Sequence, residues 1–197
     1  MTVQALILAG GRGSRLGDVR KGELRIGGRT LLERVTERLG DLPAIVSTGP
    51  GPTGIGADNT IADGTLSFGG PMAGIAAALR HLHGAAEPGD LLLTMAVDTP
   101  FLPRDFAARM IAALDGGAQA AYAAWGQQIY PTNAIYRLSG LYPLLSGTMP
   151  DSPKRLLQSL GAGPVDWTSR AAADPFVNLN TLADLIALGR RARAGDE

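Results

Sequence analysis

Residues 6–24 read LILAGGRGSRLGDVRKGEL, an apolar run followed by five glycines and four basic side chains within one short stretch. The run leading into it, Val3 to Leu8, is short, apolar and ends in glycine. That pattern predicts a parallel strand buried on both faces. Gly10, Gly11 and Gly13 then let backbone amides approach an anion closely, because no Cβ intervenes and positive φ costs little there. The loop is not a Walker A motif, since no GK[ST] follows. Nor is it GxGxxG, because counting from Gly11 the third glycine position is Leu16. Arg15 in the loop and Lys21 six residues later add two cations, which suits a triphosphate whose pyrophosphate must be held as it leaves. A tight turn carrying solvated basic residues is the plainer alternative.

Outward from this stretch the chain alternates between strand and helix patterns. Thr30 and Glu33 form a capping-box signature ahead of Leu32, Val35 and Leu39, and Gly40 stops that helix. Ala44 to Ser47 reads as a second strand, and TGPGPTGIGADN after it as a loop. Pro71 opens a helix to about Leu82, with Gly84 as its stop. Leu91 to Val97 is a third, almost wholly apolar strand that ends at Asp98. Pro103 is placed at the first position of a helix whose Phe106, Met110 and Leu114 share a face. Ala118–Ala124 and Thr132–Leu138 read as extended runs separated by WGQQIYP. Pro153–Leu160 reads as a helix stopped by Gly161, and Thr181 caps a last helix with Asp184 as its N3 residue. The alternation predicts an α/β fold: a three-layer, Rossmann-like arrangement around a mostly parallel sheet, with residues 1–197 forming one domain.

Composition narrows the function. A chain of 197 residues can bury roughly 70% of the surface its unfolded form exposes. It has no cysteine, which removes thiolate nucleophiles, disulfides and Cys-ligated metals. Eighteen basic and eighteen acidic residues cancel, so no global field draws in nucleic acid or an anionic membrane. MTVQALILAGG lacks the basic start and long apolar core of an export signal, and no run approaches the ~20 apolar residues of a membrane span. A cytoplasmic protein is expected.

Three further features carry chemistry. Asp98 closes a buried strand at its carboxyl end, where open α/β sheets place their ligand crevice. Mg²⁺ held by one carboxylate plus substrate phosphates and water would fit there, and an Asp that merely caps the turn into Pro100 is the alternative. Asp63, together with Gly69, Gly70 and Gly74 around Pro71, would let a flat base lie against backbone while a carboxylate reaches a sugar hydroxyl or the base. Strand alternation places Asn178 and Asn180 of PFVNLNTLADL on one face, directly before a capped helix, so that two amides could converge on a phosphate or on metal-bound water. Otherwise they would only satisfy loop backbone. His81 and His83 stand two apart and do not suggest a shared metal.

Taken in order, LILAGGRGSRLG with a downstream Lys, Asp63 before GPMAG, AVDTPFLP, and FVNLNTLADL resemble the molybdenum cofactor guanylyltransferase family, MobA-like enzymes of the nucleotidyltransferase fold. The resemblance implies transfer of GMP from GTP to the terminal phosphate of molybdopterin, with release of pyrophosphate and a need for Mg²⁺. It implies that Leu8, Ala9, Gly10, Gly11, Gly13, Lys21, Asp63, Gly70 and Asp98 bind nucleotide. Arg15, Lys21 and Asp98 would be catalytic, Asp98 would ligate Mg²⁺, and Asn178 and Asn180 would face the acceptor. The partners it implies are GTP and a molybdopterin-type small molecule, with room for transient contact with other proteins of that cofactor's synthesis. The rivals are a sibling enzyme using CTP or another nucleotide with another phosphorylated acceptor, and a non-catalytic nucleotide-binding relative. Three positions depart from the family pattern: Arg20-Lys21 for Asp-Lys, Tyr130-Pro131 for His-Pro, and Leu182 for a proline.

Overall fold

The computed structural model describes residues 1–10, 12–13, 19–49, 59–63, 69–87 and 89–194. Gly11, Arg15 and most of the TGPGPTGIGADN segment lie outside the described residues. In chain order the strands are β1 Val3–Leu8, β2 Arg12–Gly13, β3 Val19–Arg20, β4 Arg25–Ile26, β5 Arg29–Thr30, β6 Ala44–Ser47, β7 Thr60–Ile61, β8 Leu91–Ala96, β9 Ala120–Trp125, β10 Gln128–Arg137 and β11 Gly163–Asp166. The α-helices are α1 Leu31–Glu37, α2 Pro71–Leu82, α3 Phe106–Ala112, α4 Leu138–Leu141, α5 Pro153–Ser159 and α6 Leu182–Arg193.

The main sheet has seven strands in the order β11-β9-β10-β8-β1-β6-β7. β1 lies parallel to β6 and β8, β7 is parallel to β6, and β11 is parallel to β9. Only β10 is antiparallel to its neighbours, β8 and β9. Both faces are covered, as a parallel sheet requires. Ala5, Ile7, Leu91, Leu93 and Met95 pack on one side with residues of α1, α3 and α6. Their neighbours Leu6, Leu8 and Leu92 pack on the other with α2, α4 and α5. Consecutive side chains of β1 and β8 thus enter opposite cores, which accounts for their mostly apolar sequences, and the buried Thr94 of β8 donates its hydroxyl to the Ala134 carbonyl at 3.2 Å.

Local signals set most helix ends. Thr30 Oγ1 accepts from the Glu33 amide at 3.0 Å and the Thr30 amide donates to Glu33 Oε2 at 2.6 Å, a complete capping box. Thr181 and Asp184 repeat the arrangement at α6. Pro71 begins α2, while Gly70 before it takes φ +68°, a conformation that side chains avoid.

Three expectations need correction. Pro103 does not start a helix: its carbonyl accepts the Phe106 amide at 3.0 Å, and α3 begins at Phe106 with Asp105 as N-cap. The proline shapes the turn before the helix. WGQQIYP is not a separator, because Trp125 and Gln128 pair directly across a two-residue turn in which Gly126 takes φ +57°. Pro131 is tolerated in β10 because the register shifts between Tyr130 and Ala134, so no ladder bond is demanded of it. The segment bearing Asn178 and Asn180 is not a strand. Besides the two-residue strands β2, β3, β4, β5 and β7, the elements without a clear pattern include β11, a short, largely exposed edge strand containing Pro164, and α4, which is only one turn.

Candidate functional site

The site opens at the carboxyl ends of β1 and β8. A cavity of about 290 Å³ is lined there by Leu8, Gly10, Lys21, Asp63, Gly70, Asp98 and Asn178 among the expected residues. Ser47, Pro71, Ala96, Val97 and Thr132 complete it.

Lys21 begins a short 3-10 turn, Lys21–Glu23, that turns its side chain back over the sheet. Its Nζ donates to Asp98 Oδ2 at 2.6 Å and to Asn180 Oδ1 at 2.6 Å. The Lys21 and Asp98 side chains are only 13% and 15% exposed, so the pair is largely shielded from solvent. The segment bearing Asn180 is tied down twice. The Leu179 amide donates to the Asp98 carbonyl at 2.9 Å, and the Asn180 amide donates to Asp184 Oδ2 at 2.9 Å. That bond, followed by the Thr181 hydroxyl, holds the Asp184 carboxyl below the usual carboxylate range. The stabilisation is therefore full above the ordinary Asp pKa and fades only as pH falls through the lowered value. Asn178 lines the cavity, and its Oδ1 is buried with no hydrogen-bond partner among the described residues.

Across the cavity, Asp63 is 6% exposed and its Oδ1 accepts a hydrogen bond from Ser47 Oγ. Gly10 lies directly against it: a Cβ there would stand 2.6 Å from Asp63 Oδ2 and 2.8 Å from the Gly49 amide nitrogen. This glycine is required by close approach. The same holds for Gly74, where a Cβ would meet Ser47 Oγ and come within 2.9 Å of Leu8 Cδ2. Ser47 was not singled out from sequence. A serine ending a strand carries no signal until its partner sixteen residues on is known.

Two expected residues, Ala9 and Asn180, are not among the described residues that line the cavity, and Asn180 is joined to it through Lys21. Ala9 is 5% exposed and packs into the core on the α1 face. Gly13 pairs with Val19 in the small β2–β3 hairpin. His81 and His83 are remote from the cavity, and the His83 ring meets Tyr142 edge-on at 5.3 Å. Among the described residues no three His, Cys, Asp or Glu side chains gather as a metal cage.

The departures from the family pattern acquire physical content. Arg20 is exposed on β3, and Lys21 takes its orientation from Asp98 and Asn180. Tyr130 donates its hydroxyl to Asp174 and packs its ring 5.1 Å from Phe176, bracing the chain that leads to Asn178. Burial, then the Asp174 bond and charge, push the Tyr130 pKa upward. Leu182 is the first residue of α6, where proline is favoured because that N–H has no intrahelical partner. Leucine there breaks no hydrogen bond. Arg20→Asp is expected to change turnover less than about threefold, as for a surface substitution. A pyrophosphate-release rate rising or falling by orders of magnitude would mean that position 20 acts directly.

A mostly parallel α/β sheet with Gly10, a held ammonium and a strand-end carboxylate at one crevice is the arrangement of the nucleotide-handling transferases of three-layer fold. Residues 5–165 match the model of the MobA-like NTP transferase domain, and the chain belongs to that family of nucleotidyltransferases. It is 35% identical over 191 residues to the molybdenum cofactor guanylyltransferase of Sinorhizobium fredii, covering 90% of this chain and 86% of that protein. The protein of the same name from Acidiphilium cryptum is 35% identical over 201 residues, covering 94% and 93%. Among solved structures, molybdopterin-guanine dinucleotide biosynthesis protein A from Archaeoglobus fulgidus superposes with a TM-score of 0.73 at 23% identity, covering 98% of this chain and 100% of that one. The 2-C-methyl-D-erythritol 4-phosphate cytidylyltransferase of Thermus thermophilus superposes with 0.64 at 25% identity, covering 98% and 100%.

Proposed function

We propose that this nucleotidyltransferase transfers GMP from GTP to the terminal phosphate of molybdopterin, with release of pyrophosphate and dependence on Mg²⁺. The observation that carries the reading is the Lys21 ammonium, which links Asp98 on the nucleotide side to Asn180 on the acceptor side. The names borne by relatives at 35% identity supply the substrates.

In the proposed reaction an oxygen of the acceptor phosphate attacks the α-phosphorus of GTP, the bond from that phosphorus to the bridging oxygen breaks, and pyrophosphate departs. A phosphate is already a nucleophile at neutral pH, so no Ser–His or Cys–His pair is needed. Lys21 turns from its protein partners to the phosphates and offsets the charge on the leaving group. Arg15, carried by the resemblance, would supply a second cation. Asp63 only accepts hydrogen bonds when ionised, which suits the ribose hydroxyls or the N–H groups of guanine. The donor set fits Mg²⁺: one carboxylate, Asp98, stands beside the Asn180 amide and the unpartnered buried Asn178 Oδ1, with substrate phosphates and water completing the shell. When bound, the ion would neutralise phosphate charge and align the reacting groups. Asn178 and Asn180 would orient the acceptor phosphate.

The reading takes the chain as one nucleotidyltransferase domain working in the cytoplasm, without nucleic-acid or membrane partners. Among the described residues no helix is long and apolar enough to cross a membrane. The deciding experiment measures pyrophosphate release with GTP, CTP, ATP and UTP, each crossed with molybdopterin and a panel of phosphorylated acceptors. Release confined to GTP with molybdopterin, and abolished by chelating Mg²⁺, is expected. Turnover with CTP and a different acceptor would replace this reading by that of a sibling enzyme, and nucleotide binding without turnover by a non-catalytic relative.

A further inference from the structure

We propose that a second cavity, of about 440 Å³ between the Phe101–Asp105 turn and the Arg170–Pro175 segment, is an anion site for a phosphate or phosphate monoester. Three guanidiniums line it, those of Arg104, Arg170 and Arg191, against the single carboxylate of Asp105. The whole chain has no net charge, so this excess is a local concentration of cations.

The arginines are poorly satisfied by the protein. Arg104 and Arg170 are exposed, and their side chains make no hydrogen bond or salt bridge with a described residue. Arg104 is felt electrostatically by Glu37, which is itself hydrogen-bonded to Arg29. Arg191 is held in place: its guanidinium lies 4.5 Å over the Phe101 ring and Nη1 donates to the Asp174 carbonyl at 2.8 Å. Its Nε is nonetheless buried without a hydrogen-bond partner. A buried N–H left unsatisfied calls for a water or ligand. An oxyanion accepting from Arg191 and from the forks of Arg104 and Arg170 would relieve the mutual repulsion of the three. Guanidiniums match phosphate oxygens in paired hydrogen bonds. Asp105 opposes the anion, but one carboxylate does not cancel three guanidiniums.

This cavity shares no lining residue with the nucleotide cavity. Its two walls nevertheless lead into the active crevice, one three positions after Asp98 and the other three positions before Asn178, where the Leu179 amide meets the Asp98 carbonyl at 2.9 Å. An anion drawing the two walls together steadies that junction.

The test is calorimetric titration of the full chain with inorganic phosphate and with glycerol 2-phosphate, alongside thermal melts in the same anions. Three proteins are compared: wild type, Lys21→Ala to remove the cation of the nucleotide cavity, and Arg104→Gln/Arg170→Gln. Lys21→Ala should still bind phosphate and, like wild type, melt at higher temperature with it, while the double variant loses at least about tenfold in affinity at this site and most of the melting shift. Unchanged binding by the double variant would overturn the proposal. So would binding abolished by Lys21→Ala alone, or no phosphate binding to any of the three. Because Arg104 and Arg170 are exposed, circular dichroism should show the double variant folded, and none of these readouts depends on turnover.

Discussion

Asp98→Asn should lower the turnover rate by about 10²- to 10³-fold, the loss typical of removing one group that stabilises transition-state charge. The substitution keeps the shape of the side chain and leaves an amide oxygen able to accept from Lys21, now 2.6 Å from Asp98 Oδ2. What it removes is the negative charge. Lys21 then loses the carboxylate it is bonded to, in a site where both partners are mostly shielded from water. The Asp98 carbonyl still accepts the Leu179 amide, so the junction of the two segments persists. Circular dichroism should therefore be native, with a stability loss of about 1–2 kcal/mol, in the range of one altered charged hydrogen bond. Pyrophosphate release measured against Mg²⁺ concentration gives the readout. Normal activity would show that Asp98 only anchors Lys21.

Gly10→Ala should both destabilise the protein and abolish useful nucleotide binding. The added methyl would sit 2.6 Å from a carboxylate oxygen and 2.8 Å from a backbone nitrogen, closer than such contacts tolerate. Neither neighbour yields easily: Asp63 is gripped by Ser47, and its amide donates to the Gly49 carbonyl at 3.4 Å. Overpacking of this kind costs about 1–3 kcal/mol, read as a lower midpoint in urea. Displaced Asp63 would also withdraw a carboxylate from the cavity wall, so GTP affinity should drop at least about tenfold, the equivalent of 1.4 kcal/mol. Gly189→Ala is the control. It lies in α6 with nothing within 4 Å of its added Cβ, and should stabilise by about 0.5–1 kcal/mol. Equal behaviour of the two variants would discount the close approach.

The elements legible in the sequence were those whose signal is local. Leu91–Ala96 could be recognised because a strand buried on both faces is apolar at nearly every position, and Thr30–Glu33 because a capping box closes within one turn. The β9–β10 hairpin was misread because Gln127, Gln128 and Pro131 look like loop residues, and only pairing with Trp125 and Ala124 makes Gln128 and Ile129 a strand. Asn178 and Asn180 were picked out for the wrong local reason: their segment is not extended strand, yet Asn178 lines the crevice and Asn180 is joined to it through Lys21.

By itself, then, the sequence determined the alternation of strand and helix, the three layers, and the placement of Asp98 at a strand end, because periodicity and caps are written over a few neighbouring residues. The tertiary structure alone decided the partners. Lys21 meets Asp98 across 77 positions and Asn180 across 159, and Tyr130 meets Asp174 across 44. Such pairings depend on the order of strands in the sheet, which brings β1 and β8 side by side and folds the C-terminal segment back over their ends. In the opening stretch that order shows how Lys21 is held, and why the arginine beside it need not take the part of an acid.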